Sequence, residues 1–336
     1  MSDIAIIGAG PVGLFAVFEF GLLGMKCQVI DALDQVGGQC AALYPEKPIY
    51  DIPGFPRIDA ASLVERLSEQ AAHFAPILHL GEQVTKLTRD LADSCFRITT
   101  DKGREIMARA VVIAAGVGAF GPNRPPIAGI EAFEGKSVFY AVKNRETLRD
   151  KSVVIAGGGD SALDWALALA GFAAKIYLVH RRAKFRAAPA TVAALDEAVA
   201  RGEIELVTNC QLAGLTARAD DPSQIATVEL NDLDGGTKSL PADILLAFFG
   251  LSMNLGPINE WGLGLSDQHI TVEPASMATT TPGIFAIGDI AHYAGKLKLI
   301  LTGFAEAAQA AHAARSFLNP GKEFHFVHST SAVKEP

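Results

Sequence analysis

An α/β fold of two three-layer units, the second inserted into the first, is what the amino-acid order predicts. Three observations carry this expectation. A β-branched strand, a glycine turn, an apolar helix and a second strand open the chain as DIAIIGAG, PVGLFAVFEFGLLG and KCQVID. The same pattern returns at residues 151–182 as KSVVIAGGGDSALDWALALAGFAAKIYLVHRR. Strand-like runs ending in AAG at 116 and in AFFG at 250 flank that second copy, and another strand, TTTPGIFAIGDIA, follows it. Each copy reads as a Rossmann-like dinucleotide-binding domain. The expected boundaries are 1–119 for the first part of the first domain, 120–250 for the inserted domain, and 251–336 for the return, with a tail from 320 to 336.

Bulk composition agrees with two cores, because 336 residues are too many for one small domain. A hydrophobic share of 49% and a charged share of 20% are those of an ordinary soluble protein. A net charge of −8 argues against non-specific binding to nucleic acid or to an anionic membrane. The charge is uneven: Lys136 to Arg186 holds ten Lys/Arg against four acids, a local +6 that suggests recognition of anions. The four cysteines, Cys27, Cys40, Cys95 and Cys210, form no CxxC motif, which favours a reducing compartment. The apolar N-terminus lacks a basic leader and carries Asp3 and Glu19, so it reads as a buried strand and helix. Cytoplasm is the expected location.

In the first copy, GAGPVG places Gly8 at the tight turn and Gly10 where a pyrophosphate approaches the backbone. Gly13 sits where helix and strand pack closely. Asp31 follows Gly13 by eighteen residues and suits a ribose diol. The alternative is an ordinary turn. In the second copy Gly157 and Gly159 hold the corresponding places, with Ala162 standing for the third glycine. The same offset from Ala162 lands on His180, followed by Arg181, Arg182 and Arg186. A carboxylate there would repel a 2′-phosphate, whereas guanidinium groups bind it. The first site therefore reads as one for FAD or NAD and the second as one for NADP(H), the rival being a solvated basic turn. Asp160 and Ser161 are candidates for the NADP pyrophosphate or for capping the helix that follows.

After the insertion, a strand ends in Gly288-Asp289 and LKLILTGFAEAAQAAHAA continues as a helix. Asp289 could be a helix cap. Paired with a leading glycine fingerprint it signals a flavoprotein, its carboxylate holding the ribityl chain. The helix start near Thr302 and Gly303 would favour negative charge on the reduced ring. His73, His79, His269, His292 and His312 show no ligand spacing, so no metal site is expected, and Trp165 reads as core.

Taken together, GAGPVG, GGGDSA, HRR and IGD, the loop GGQCAALYPEKPIYDIPGFPRI and the tail FHFVHSTS resemble the thioredoxin-reductase-like ferredoxin–NADP reductases over nearly the whole chain. The resemblance implies FAD contacts from Asp31, Gln39, Tyr44, Val84, Phe120, Asp289 and Thr330. It also implies stacking of Tyr50 on one flavin face and of His328 on the other, with no acid–base residue. A homodimer is implied too, its tail reaching the partner's flavin. Thioredoxin reductase proper would carry a CxxC just before the second glycine motif, where this chain has SVFYAVKNRETLRDKSV. A dithiol relay needs two thiols, so electrons are expected to leave the flavin directly. The acceptor implied is ferredoxin, an acidic iron–sulfur protein, docking on the +6 segment near Lys143 and Arg149. Other acceptors (flavodoxin, a quinone or a separate dithiol protein) and a redox sensor without turnover stay open. Rotation of the NADP domain about the crossings near 120 and 250 is a further expectation.

Overall fold

A computed structural model describes residues 1–90, 95–233 and 235–321. The chain passes from a first compact unit into a second after Phe120 and returns at Met253.

The first unit begins with β1 (Ser2–Ile7), α1 (Pro11–Leu22), β2 (Cys27–Asp31), α2 (Gly38–Ala42), α3 (Ala60–Ala72) and β3 (Ile77–Leu80). It continues with β4 (Val84–Asp90), β5 (Cys95–Thr100) and β6 (Glu105–Ile113). The sheet order is β3-β2-β1-β6-β5-β4. From β3 to β6 the strands run parallel, and β4, β5 and the first half of β6 form an antiparallel meander. The run AVVI explains this split. Ala110 to Ile113 are fully buried, as a central parallel strand covered on both faces demands. Each such Val or Ile removed from water contributes about 1.5–3 kcal/mol.

The second unit holds β7 (Val138–Phe139), β8 (Ser152–Ala156), α4 (Asp160–Leu169), β9 (Lys175–His180), α5 (Pro189–Ala200) and β10 (Glu205–Thr208). Beyond them lie β11 (Cys210–Ala217), β12 (Ile225–Asp232), β13 (Thr237–Pro241) and β14 (Ile244–Ala247). Its parallel sheet has the order β7-β14-β8-β9-β10, and β11, β12 and β13 form a separate antiparallel sheet. Trp165 of α4 is buried among Leu163, Leu169 and Leu195 in the core of this unit.

Back in the first unit, β15 (Ile284–Ala286) joins the parallel sheet beside the second half of β6, and α6 (Ile300–Leu318) packs on α1. Small residues let the two helices approach. Ala307, Ala310, Ala311 and Ala314 are fully buried, and a Cβ at Gly303 would lie 2.3 Å from Val12 Cγ2. The start of α6 is thereby drawn alongside the start of α1. Among the described residues, no helix is long and apolar enough to cross a membrane.

Candidate functional site

A cavity of about 470 Å³ opens in the first unit where β1, β2 and β6 end. That is the edge at which open α/β sheets receive ligands. Gly8 turns the chain there at φ 110°, and a Cβ on it would fall 2.3 Å from the Ala114 carbonyl oxygen. A Cβ on Gly13 would meet the Gly8 carbonyl at 2.0 Å, so this glycine serves helix–strand packing. Gly10 is different: nothing lies within 4 Å of the place its Cβ would take. Gly10 is also the N-cap of α1, with Pro11 next and no side-chain cap. The first-turn N–H groups thus face an open space, which is how a pyrophosphate is held.

Asp31, at the end of β2, ties this turn together. Its Oδ2 accepts from the Ala9 N–H at 2.6 Å and its Oδ1 from the Leu33 N–H at 2.8 Å. Burial pushes its carboxyl above the ordinary value, and these two donors only partly oppose the rise. Gln39, Tyr44, Val84 and Asp289 line the same cavity, so β2, α2, β4 and the turn after β15 converge on it. The start of α6 borders it through Leu299 and Ile300, again without a side-chain cap. Two helix N-termini therefore bring positive potential to one cavity.

Some expected residues stand apart from that lining. Tyr50 is exposed (65%), and Thr302, in the first turn of α6, is only partly buried. The backbone of Phe120 lies in a strand at the crossing, but its side chain, like all of His328 and Thr330, lies outside the described residues.

Other lining residues escaped the sequence reading. Glu82 is buried, accepts from Thr100 Oγ1 at 2.9 Å and pairs with Arg104 at 2.9 Å. Trp261 carries a buried indole N–H with no partner among the described residues. Lys298 reaches His269 across the rim. None belongs to a short motif, and only folding assembles them. Cys40 also lines the cavity, its thiol 3.9 Å from the Tyr44 hydroxyl and pushed up by burial to about 11. Among the described residues no cluster of metal-ligating side chains occurs.

In the second unit the glycine turn follows β8. Gly157 packs against Ala162, whose Cβ would lie 2.9 Å from a Cβ on Gly157. Gly159 caps α4 without a side-chain cap and has open space where its Cβ would be. His180 lies beneath the turn: a Cβ on Gly158 would fall 2.1 Å from its ring, which stacks on Phe185 at 5.1 Å. Burial, with Arg181, Arg182 and Arg186 nearby, holds its pKa below the ordinary value. His180 is therefore an uncharged support for the turn, and the positive charge falls to the three exposed arginines. The loop carrying Arg186 is strapped across the turn. Arg186 N–H donates to the Gly158 carbonyl at 2.7 Å, and Asp160 Oδ1 accepts from the Ala188 N–H at 3.0 Å. The Asp160 carboxylate is spent on that loop, and Ser161 is exposed beside it.

Fold and turns together define a protein with two dinucleotide-binding domains. Comparison with known proteins narrows this. Residues 2–315 match the family described as pyridine nucleotide-disulphide oxidoreductase. A protein of Paramagnetospirillum magneticum named ferredoxin–NADP reductase is 57% identical over 98% of this chain and 97% of its own. Another of that name, from Acidiphilium cryptum, is 58% identical over 98% of this chain and 96% of its own. Among solved structures, thioredoxin reductase of T. acidophilum superposes with a TM-score of 0.81 at 22% identity, covering 94% of this chain and 98% of that one. That of Lactococcus lactis also gives 0.81, at 24% identity, covering 95% and 99%. This last likeness concerns the fold alone. The chain belongs to the pyridine nucleotide-disulphide oxidoreductases and, within them, to the family of the ferredoxin–NADP reductases.

Proposed function

We propose that this chain is a flavoprotein oxidoreductase that passes electrons between NADPH and a ferredoxin through FAD. The observation that carries this reading is its 57–58% identity, over 98% of the chain, to proteins named ferredoxin–NADP reductase. The residues present fit the cofactor: Gly10 leaves room, the start of α1 is uncapped, and Trp261 holds an unpartnered donor at the cavity. Bound FAD supplies the exchange between two-electron hydride and one-electron chemistry. The chain's own part is to bind and orient. Asp31 would take ribose hydroxyls, the first turn of α1 the pyrophosphate, and Asp289 the ribityl chain, with Gln39, Tyr44 and Val84 closing the walls. Tyr50 would lie on one ring face and His328 on the other, with Phe120 and Thr330 beside the ring and the first turn of α6, at Thr302, favouring negative charge. In the second unit the α4 N-terminus would receive the NADP(H) pyrophosphate, and Arg181, Arg182 and Arg186 the 2′-phosphate.

The thiols support direct transfer out of the flavin. All four cysteines are buried and none is in a disulfide, and Cys40, the one beside the cavity, has a thiol too weakly acidic to attack at neutral pH. For a ferredoxin face, Lys143 and Arg149 are not equal. Both are exposed, but Arg149 pairs with Glu146 at 2.9 Å and lies 4.2 Å from the Phe172 ring centre, so part of its charge is already engaged. Lys143 is thus the residue whose charge reversal should weaken ferredoxin turnover alone. A homodimer in the cytoplasm completes the proposal.

Stopped-flow absorbance tests it. Flavin bleaching by NADPH and not by NADH, followed by reoxidation with ferredoxin and not with a thioredoxin, is the expected result. Bleaching without transfer to ferredoxin would remove the acceptor, and no bleaching would remove the enzyme.

A further inference from the structure

Lys298 lines the cavity of the first unit, next in the chain to Leu299 and Ile300 at the uncapped start of α6. It is the one Lys or Arg among the described lining residues, which include the acids Asp31, Glu82 and Asp289. Asp31 is engaged by backbone N–H groups and Glu82 by Arg104. Lys298 Nζ lies 2.8 Å from His269 Nε2. His269 is buried, and its Nδ1 stands 2.5 Å from the Asp267 carbonyl. A carbonyl can only accept, so Nδ1 carries the proton and Nε2 offers a lone pair to the ammonium. The anchor of Lys298 is then an imidazole lone pair, not a carboxylate.

The position is held from both sides. The strand His269–Thr271 runs parallel to Ala291–His292, which directly follows the turn bearing Asp289. Two residues before Lys298, Lys296 is buried in an ion pair with Glu306 of α6. The loop between the Gly288–Asp289 turn and α6 is thus pinned at Lys296, and Lys298 is presented to the cavity.

We propose that Lys298, held by His269, stabilises the negative charge that the flavin ring acquires on reduction, and so raises the reduction potential of the site. The inference rests on the FAD reading of this cavity. Lys298 is exposed at the cavity mouth, so its ammonium acts by position, adding to the positive end of α6. Neither residue belongs to a glycine or Gly-Asp motif.

The test is an anaerobic reduction titration of the full-length flavin-bearing protein against a reference dye. Lys298→Met should shift the balance toward the oxidised ring by at least about tenfold, or about 30 mV for a two-electron couple. Lys298→Arg should keep the potential within about threefold of the original on the same scale. His269→Ala, which leaves the charge but frees it, should give a smaller fall than K298M. An unchanged potential in K298M overturns the proposal, and an unchanged potential in H269A removes His269 from it. If K298M fails to hold flavin, Lys298→Gln is titrated instead; loss of flavin from both makes Lys298 a binding residue and also overturns the proposal. Wild-type protein that holds no flavin would refute the cofactor reading itself, whereas flavin-bearing protein with an unmoved K298M refutes only the role of Lys298.

Discussion

Asp31 accepts a hydrogen bond from the backbone N–H of Ala9 at 2.6 Å, so the acid at the end of β2 is tied to the middle of the first glycine turn. One carboxylate both shapes the phosphate-binding turn and faces the cavity. Its raised pKa gives a stability effect of definite sign. The folded state takes up a proton more readily than the unfolded chain. This contribution is therefore complete below the ordinary value of 3.8 and is lost as pH rises through the higher folded value. At neutral pH the buried charge thus costs stability in flavin-free protein. Asp31→Asn keeps one of the two acceptors and leaves one backbone donor unmet, but its melting temperature relative to wild type should fall as the pH drops toward 3.8, because only wild type gains a proton there. The same variant should bind FAD about ten- to a hundredfold more weakly, from the loss of charged hydrogen bonds worth about 1.5–3 kcal/mol. Calorimetry of the flavin-free proteins and a flavin titration check both halves.

Gly8 and Gly10 should respond in opposite ways to the same added methyl group. Gly10→Ala meets no atom within 4 Å in flavin-free protein and should leave its stability within about 1 kcal/mol while abolishing tight FAD binding. Gly8→Ala combines a positive φ with a clash on the Ala114 carbonyl and should cost about 3 kcal/mol or more, flavin or none. Urea unfolding of the two flavin-free variants separates a ligand effect from a fold effect. Equal losses of stability would mean that the space at Gly10 is not a ligand's.

Arg181→Ala and Arg182→Ala should each lower kcat/KM for NADPH by about ten- to a hundredfold and leave the value for NADH unchanged, as expected for lost charged hydrogen bonds to one phosphate. Asp160 adds a finer expectation, because its bond to the Ala188 N–H holds the loop of Arg186. Asp160→Ala should raise the KM for NADPH, whereas Asp160→Asn, which still accepts that bond, should behave as wild type. Tighter NADPH binding by D160N would show instead that the carboxylate repels the pyrophosphate.

Glu306 is buried at 1% side-chain exposure, where it accepts from the Gly288 N–H at 2.7 Å and from the Tyr293 hydroxyl at 2.7 Å and pairs with Lys296. Glu306→Gln leaves the Lys296 charge buried without its counter-ion, which should cost about 3–5 kcal/mol in denaturant unfolding. The double variant with Lys296→Met should recover most of that loss. If the single variant loses less than about 1 kcal/mol, water reaches the pair and it does not brace the Gly288–Asp289 turn.

Local pattern was enough for the two nucleotide-binding folds, the insertion of one into the other and the class of chemistry. These follow from short-range rules: buried β-branched runs make parallel strands, glycine permits the turn, and a fixed offset brings Asp31 or His180 to the next strand end. Local pattern did not reveal that His180 lies under its turn as an uncharged support, since only packing against Gly158 and Phe185 shows that burial. Nor could it show that Arg149 is already paired with Glu146 and set against Phe172. Glu82, Trp261 and Lys298 enter the cavity from segments far apart in the chain, and the anchor of Lys298 stands twenty-nine residues before it. Such groups carry no spacing signal, because their meeting depends on how β4, the loop before α6 and the strand at His269 settle around one cavity. Motifs record what the backbone must do within a few residues, whereas charge and burial at a site are sums over everything the fold brings near.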